Sequence, residues 1–343
     1  MKYKIYIFLF LLLPLLSSCI EIETNINIRG SMEFTKSIKI SSNRALVSPD
    51  GNYLYTLTTS EDIYDCSLIN QWDISSGTIK KTYLPDNYFR EDFWHFTSMA
   101  LNPDGKYLAG SGVFINQGRI HSLVIWDVET GKEVFSINPE TNYKLIQFTP
   151  DGRKIYMMKK LDRIDIIELL GTGFNSYRED SLLLQNSDYS FYRNMTFSKD
   201  GKYLSFDVPS FIKLKESPTV VNNLYGNFAV LNPSTERLIV SWLYDIEVYN
   251  LANLEKISSF EDEIINKNTA MGISPDGKYF ATSYTADGSG SSSVYGLQVF
   301  SAKNGELIAG MTVDYPAEEL RFINENSFYT LSFGKFYIYH FSE

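Results

Sequence analysis

The chain is poor in the residues that carry covalent or metal chemistry. Its 343 residues include three histidines, His95, His121 and His340, and two cysteines, Cys19 and Cys66. The histidines are too scattered for a metal site, and no Cys-x-x-Cys or His-Glu-x-x-His spacing occurs. Gly171-Thr172-Gly173 lacks the third glycine of a dinucleotide loop, and there is no Gly-x-Ser-x-Gly elbow. Ala286-Asp287-Gly288-Ser289-Gly290-Ser291 alternates oxygen ligands but lacks the closing glutamate of a calcium loop, and reads as a linker. Glu61, Asp62 and Asp65 read as a solvated acidic loop. The expectation is therefore no metal and no cofactor.

Positive charge is also short. Lysine plus arginine number 31 against 41 aspartates and glutamates, a net charge of −10. Such a surface repels phosphate backbones and excludes nucleic acid as a partner. Long apolar runs are missing as well. The N-terminal run Ile5–Leu16 has 12 residues, too few to span a bilayer comfortably.

What the sequence has in quantity is one turn, repeated. Ser274-Pro275-Asp276-Gly277 has close copies at Ser48-Pro49-Asp50-Gly51, Asn102-Pro103-Asp104-Gly105, Thr149-Pro150-Asp151-Gly152 and Ser198-Lys199-Asp200-Gly201. Proline pre-sets φ, aspartate hydrogen-bonds forward to the backbone, and glycine takes the left-handed state without steric cost. Two degenerate copies complete the series. Asn232-Pro233-Ser234-Thr235 is one, and Ile323-Asn324-Glu325-Asn326 is the other, with Asn326 expected in the glycine's backbone state. Short β-prone runs flank each turn, which is the hairpin pattern. The turns recur about every 46 residues, a period that signals propeller blades of four strands.

A second mark closes the third strand in six of the seven periods: Trp72-Asp73, Trp126-Asp127, Ile167-Glu168, Tyr249-Asn250, Phe300-Ser301 and Tyr339-His340. On these residues the chain resembles a bacterial WD-repeat or WD-repeat-like β-propeller along nearly all of its length. It departs from the eukaryotic pattern, since no Gly-His dipeptide is present. The fold expected is all-β, a seven-bladed propeller, with six or eight blades as the alternatives. The last period has only three strands, so Ser31–Ile40 is expected to supply its outer strand and close the ring. Within that stretch Met32, Phe34, Ile38 and Ile40 form one apolar stripe. His340, at the tryptophan-aspartate mark, is expected in the core.

The N-terminus carries an address. Lys2 and Lys4 precede the apolar run, and Leu16-Ser17-Ser18-Cys19 follows it. This resembles the lipobox of bacterial lipoproteins. The resemblance implies a signal peptide over 1–18, a lipidated Cys19, a tether over 19–30 and a propeller over 31–343. Removal of residues 1–18 leaves a net charge of −12, because two lysines go and no acid does. With Cys19 acylated, Cys66 has no partner for an intramolecular disulfide. The location implied is the extracytoplasmic face of the bacterial envelope, such as the periplasm. Ile20 rather than aspartate follows the cysteine, which favours the outer membrane.

Function is less legible. Long connections are expected at Thr59–Asn70, Leu84–Phe96, Ser111–Ser122 and Thr285–Tyr295, and loops on a rigid scaffold usually carry recognition. The second of these holds Tyr88, Phe89, Arg90, Asp92, Trp94 and His95, the types that form contact hot spots. The first reading is a non-enzymatic, monomeric, lipid-anchored scaffold that binds a protein or a glycan. The alternative is a propeller enzyme resembling lactonases, lyases or dehydrogenases. It would need acids or arginines converging on the mouth of the central channel, whereas an apolar, small-residue axis would count against it.

Overall fold

The computed structural model describes residues 30–40, 42, 44–59, 67–85, 93–115, 119–138, 143–160, 163–170, 176–183, 195–206, 211–213, 219–221, 228–232, 237–242, 245–261, 267–287 and 293–343. No helix occurs among them.

The first strand, β1 (Ser31–Lys39), stands apart from its sequence neighbours. Sheet one comprises β2 (Ala45–Val47), β3 (Tyr53–Thr59), β4 (Ser67–Asp73) and β5 (Thr78–Tyr83). Sheet two comprises β6 (Phe93–Leu101), β7 (Tyr107–Ile115), β8 (Arg119–Asp127) and β9 (Glu133–Ile137). Sheet three runs β10 (Leu145–Phe148), β11 (Lys154–Lys160), β12 (Arg163–Leu170) and β13 (Ser176–Leu183). Sheet four is short-stranded, with β14 (Met195–Phe197), β15 (Tyr203–Phe206), β16 (Phe211–Lys213) and β17 (Thr219–Val221). Sheet five holds β18 (Phe228–Asn232), β19 (Arg237–Trp242), β20 (Asp245–Asn250) and β21 (Lys256–Glu261). Sheet six holds β22 (Lys267–Ile273), β23 (Tyr279–Asp287), β24 (Ser293–Ser301) and β25 (Leu307–Val313). Sheet seven takes β26 (Glu319–Asn324), β27 (Ser327–Ser332) and β28 (Lys335–Ser342), and its fourth strand is β1. All seven are antiparallel meanders. Sheets one and two are joined by a single parallel pair, Ser67 with His95.

The repeated turn builds the junction of the first two strands in sheets one, two, three, four and six. In sheet six the Ser274 hydroxyl donates to Asp276 at 2.7 Å and accepts the Tyr279 amide at 3.0 Å. Asp276 also accepts the Lys278 amide, and the Gly277 amide closes the turn on the Ser274 carbonyl. Ser48, Thr149 and Ser198 repeat the hydroxyl relay. Gly277 sits at φ +71°, which a side chain would resist, and an added Cβ would lie 2.3 Å from the Asn232 amide of the preceding turn. The seventh turn differs. Positive φ outside glycine occurs, among the described residues, at Leu254 and Phe333 only, so Asn326 does not take the glycine state. Its amide instead caps onto the Asn324 side chain.

Each of the seven hydrophobic clusters of the described residues straddles one boundary between sheets. The boundary of sheets one and two holds Tyr55, Tyr83, Phe96 and Trp126, for example. The seventh sheet packs on the first through Ile38, Ile40, Ala45, Leu54, Tyr329, Leu331 and Phe336. No sheet has a core of its own, so burial of each depends on its neighbours.

β1 pairs with β28 from Ser31–Ser342 to Lys39–Lys335, as its sequence position suggested. Its apolar stripe is corrected, however. A bulge between Phe34 and Lys36 shifts the register. Met32 therefore packs toward sheet six, Ile38 packs toward sheet one, and Phe34 stays 51% exposed. A bulge flips the faces of every residue beyond it, and alternation in sequence does not reveal where one falls. His340 is corrected too: it is exposed, with Nδ1 3.1 Å from the Ser327 hydroxyl.

Candidate functional site

The molecule has two ends. One carries the Pro-Asp-Gly turns. The other carries the second-to-third-strand hairpins and the connections from each outer strand to the next inner strand. The connections expected to be long are shorter than the sequence suggests, because the strands run on. β7 reaches Ile115, β8 starts at Arg119, β23 reaches Asp287 and β24 starts at Ser293. Gly110, Gly112 and Gly296 all lie within strands. They are positions where a Cβ would strike Ile69, the His95 carbonyl or the Tyr284 ring.

Of the candidate recognition residues, Tyr88, Phe89, Arg90 and Asp92 lie outside the described residues. Trp94 and His95 fall on β6 rather than in a loop, opposite Phe114 and Val113, and His95 is exposed. Cys19 and the signal and tether segments also lie outside the described residues.

The inner strands surround a channel of about 810 Å³ lined from all seven sheets. Its wall mixes apolar and polar groups in comparable measure, with Ala45, Met99, Ile146, Ser98, Gln147 and Thr196 among the lining residues. The charged lining residues are Arg44, Glu318, Glu319 and Arg321. Arg44 donates to the Lys144 carbonyl at 3.2 Å, spanning from sheet one to sheet three across the mouth. Glu319 and Arg321 form an ion pair at 2.5 Å. The Arg321 Nε–H is not aligned for a hydrogen bond, so the contact is one of charge. The buried Tyr329 hydroxyl shares its one hydrogen between two acceptors, the Ala45 carbonyl at 3.1 Å and the Glu319 carboxylate at 3.3 Å. Burial and the Glu319 charge push that phenol well above its ordinary value, so it remains a donor. The Tyr329 bond ties sheet seven to sheet one, Arg44 ties sheet one to sheet three, and the Glu319–Arg321 pair lies within β26. No group of three or more metal-binding side chains occurs among the described residues.

A second device marks the same seam. Lys36 on β1 reaches under the third-to-fourth-strand turn of sheet one and donates to the Ile74 carbonyl at 2.9 Å and to that of Ser75. Lys81 on β5 does the same to sheet two, donating to Val128 and Glu129 at 2.7 Å each. β1 thus stands to sheet one as β5 stands to sheet two. Neither lysine was singled out in sequence, because the carbonyls they meet belong to the next sheet.

The end opposite the Pro-Asp-Gly turns also carries Phe333, 68% exposed, and Tyr315, 46% exposed. Their rings meet edge to face at 5.4 Å. Phe333 forms the tip of the β27–β28 hairpin.

Seven four-stranded antiparallel sheets around a channel define the fold of a β-propeller. Comparison with solved structures agrees on the fold. The β-propeller domain of Cps50 (Swd1) from Myceliophteria thermophila is similar at a TM-score of 0.63 and 13% identity, over 90% of this chain and 99% of that one. A chain of the mitotic checkpoint complex is similar at 0.63 and 11% identity, over 90% and 94%. No protein-family model matches the chain, and no curated protein does.

Proposed function

We propose that the chain is a non-enzymatic, lipid-anchored scaffold of the bacterial envelope that presents one end of a closed propeller to a partner protein. The observation that carries this reading is the channel, where Arg44 bonds the Lys144 carbonyl and Arg321 pairs with Glu319. Three of its four charged lining residues are thus engaged with other protein groups, rather than converging as the enzyme reading required. The pairing of β1 with β28 and the seam cluster between sheets seven and one support closure of the ring by the N-terminal strand. β1 begins at the Pro-Asp-Gly end, where Gly30 donates to the Ile308 carbonyl. An anchor at Cys19 would hold that end toward the bilayer and leave the hairpin end outward. Two or three acyl chains give durable attachment. One of the similar structures is itself a chain of a multi-protein assembly, which favours protein over glycan as the partner.

The test is fractionation of cells expressing the full chain and its Cys19→Ser variant, each followed by chemical cross-linking and affinity capture. The wild type should sediment with membranes and yield a discrete cross-linked partner, and the variant should be released. A wild type in the soluble fraction, or a purified chain with catalytic turnover and no partner, would overturn the reading.

A further inference from the structure

The feature that the fold does not account for is Phe333. A two-residue loop, Phe333-Gly334, joins β27 to β28, closed by the Ser332–Lys335 pair. Both loop residues have positive φ, 46° and 69°. That is the pattern of a type I′ turn, whose first position normally takes asparagine, aspartate or glycine. A bulky side chain there is a conformational outlier. It is not compensated by burial, since Phe333 is the most exposed large hydrophobic of the described residues. A strained backbone holding an aromatic ring in water points to a use for the ring.

Its neighbour supports this. Tyr315 lies on the connection Asp314-Tyr315-Pro316-Ala317-Glu318, which runs from β25 to β26. That connection is pinned on both sides. The Ser332 hydroxyl donates to the Pro316 carbonyl at 2.8 Å, the Ala317 amide to the Ser283 hydroxyl at 3.3 Å, and the Glu318 amide to the Leu331 carbonyl at 2.8 Å. Both rings are therefore held in place before any partner arrives, which lowers the entropic cost of binding. Their planes meet at 70°, giving an open aromatic corner rather than a flat platform. The same connection supplies exposed carboxylates at Asp314 and Glu318, and neither has an ion pair among the described residues. The nearby cations are Lys335, beside the turn, Lys39 opposite it on β1, and Arg321, already paired with Glu319.

We propose that Tyr315 and Phe333, with Asp314 and Glu318 beside them, form the receiving corner for a lysine or arginine side chain on an exposed segment of a partner protein. The ring faces attract the cation through their quadrupoles, and the carboxylates and the net charge of −10 favour the same sign. The proposal names the contact within the scaffold reading above and rests on it.

Two measurements test it and separate it from that reading. The first is calorimetric titration of the detergent-solubilised full chain with N-acetyl-arginine methylamide and with uncharged N-acetyl-norleucine methylamide, up to about 100 mM. The arginine probe should bind saturably, and the norleucine probe about tenfold more weakly. Phe333→Asn suits the turn, so its Tm should hold or rise while the arginine affinity falls about tenfold. Lys335→Glu should strengthen binding, and added salt should weaken it. No saturable binding, equal binding of the two probes, or an unchanged affinity in Phe333→Asn would overturn the proposal. So would tighter binding of a chitin trisaccharide that is lost in Phe333→Asn, which would make the corner a glycan site. The second measurement places a photo-crosslinking residue in cells at Phe333, at Val294 on the hairpin end, or at Asn52 on the Pro-Asp-Gly end. A cross-link at 333 supports the corner. Cross-links at 294 without any at 333 would sink the corner and leave the scaffold standing, and none at any position would sink both.

Discussion

Replacing Lys36 by methionine asks whether β1 closes a ring or merely decorates its last sheet. Methionine keeps the apolar stem that lies 3.7 Å from where a Cβ on Gly77 would be, and deletes the ammonium that bonds Ile74 and Ser75. Hydrogen bonds made by charged groups contribute about 1.5–3 kcal/mol when shielded from water. The Lys36 bonds are partly open to solvent, so a discounted loss of about 1–2 kcal/mol is expected. Lys81→Met is the internal reference, since it removes an equivalent pair of bonds between sheets one and two. In a closed ring each boundary belongs to one cooperative unit. Both variants should then lower the urea midpoint by similar amounts with unchanged m, and Tm by about 2–4 °C. In a ring that is open at the seam, Lys36→Met would free β1 locally. Amides of Met32–Ile38 and of β28 would exchange faster while the global midpoint stayed put. That second outcome, with Lys81→Met still destabilising, would refute closure by β1.

Two further perturbations follow from the turns. Gly77 and Gly305 occupy equivalent turns at φ +71° and +69°, yet an added Cβ is 3.7 Å from Lys36 at the first and 2.0 Å from the Phe260 ring at the second. Gly77→Ala should cost about 1–2 kcal/mol of backbone strain alone. Gly305→Ala should cost about 1–3 kcal/mol more, because Phe260 must leave its stack on Phe280; equal urea midpoints for the two variants would show the ring contact to be irrelevant. The second perturbation is acid. The Ser48 hydroxyl is the main cause that holds the Asp50 carboxyl below the ordinary range. Burial opposes the same effect at Asp200, but the Lys202 side chain and amide and the Ser198 hydroxyl bring it to about 2. A carboxylate with a depressed folded value stabilises the fold above its unfolded pKa, about 3.9, and loses that contribution as pH falls toward 2. Tm should therefore drop between about pH 4 and 2, and Ser48→Ala should flatten that drop while costing about 1 kcal/mol at neutral pH through the lost Tyr53 amide acceptor; a Tm–pH slope identical to wild type would contradict the role given to the hydroxyl.

Much of the architecture was legible because each blade begins with the same short-range chemistry. Ser-Pro-Asp-Gly makes its turn from its own hydroxyl, carboxylate and glycine, so its five close copies, with two degenerate ones in phase, could be counted without knowing what lay beside them. The missing fourth strand of the last period pointed to β1 by arithmetic. The errors came where the outcome belonged to two segments at once. The bulge after Phe34 is set by how β1 fits β28, and Gly112 is required by the His95 carbonyl rather than by a turn. His340 follows the tryptophan-aspartate mark in position but has nothing to bury against. The site was the least legible part. Aromatics and arginine crowd around Tyr88 and Trp94 in the sequence, whereas nothing local marks Phe333.

The amino-acid sequence alone determined the repeating unit, the count of units and the strand borrowed from the N-terminus, since these depend on local turn chemistry and period. Only the tertiary structure decided that Lys36 repeats the part of Lys81, that Arg44 reaches from sheet one to sheet three at the channel, and that Phe333 stands strained in water beside Tyr315. Those facts depend on which side chains of distant segments meet, and the chain has to fold before they can.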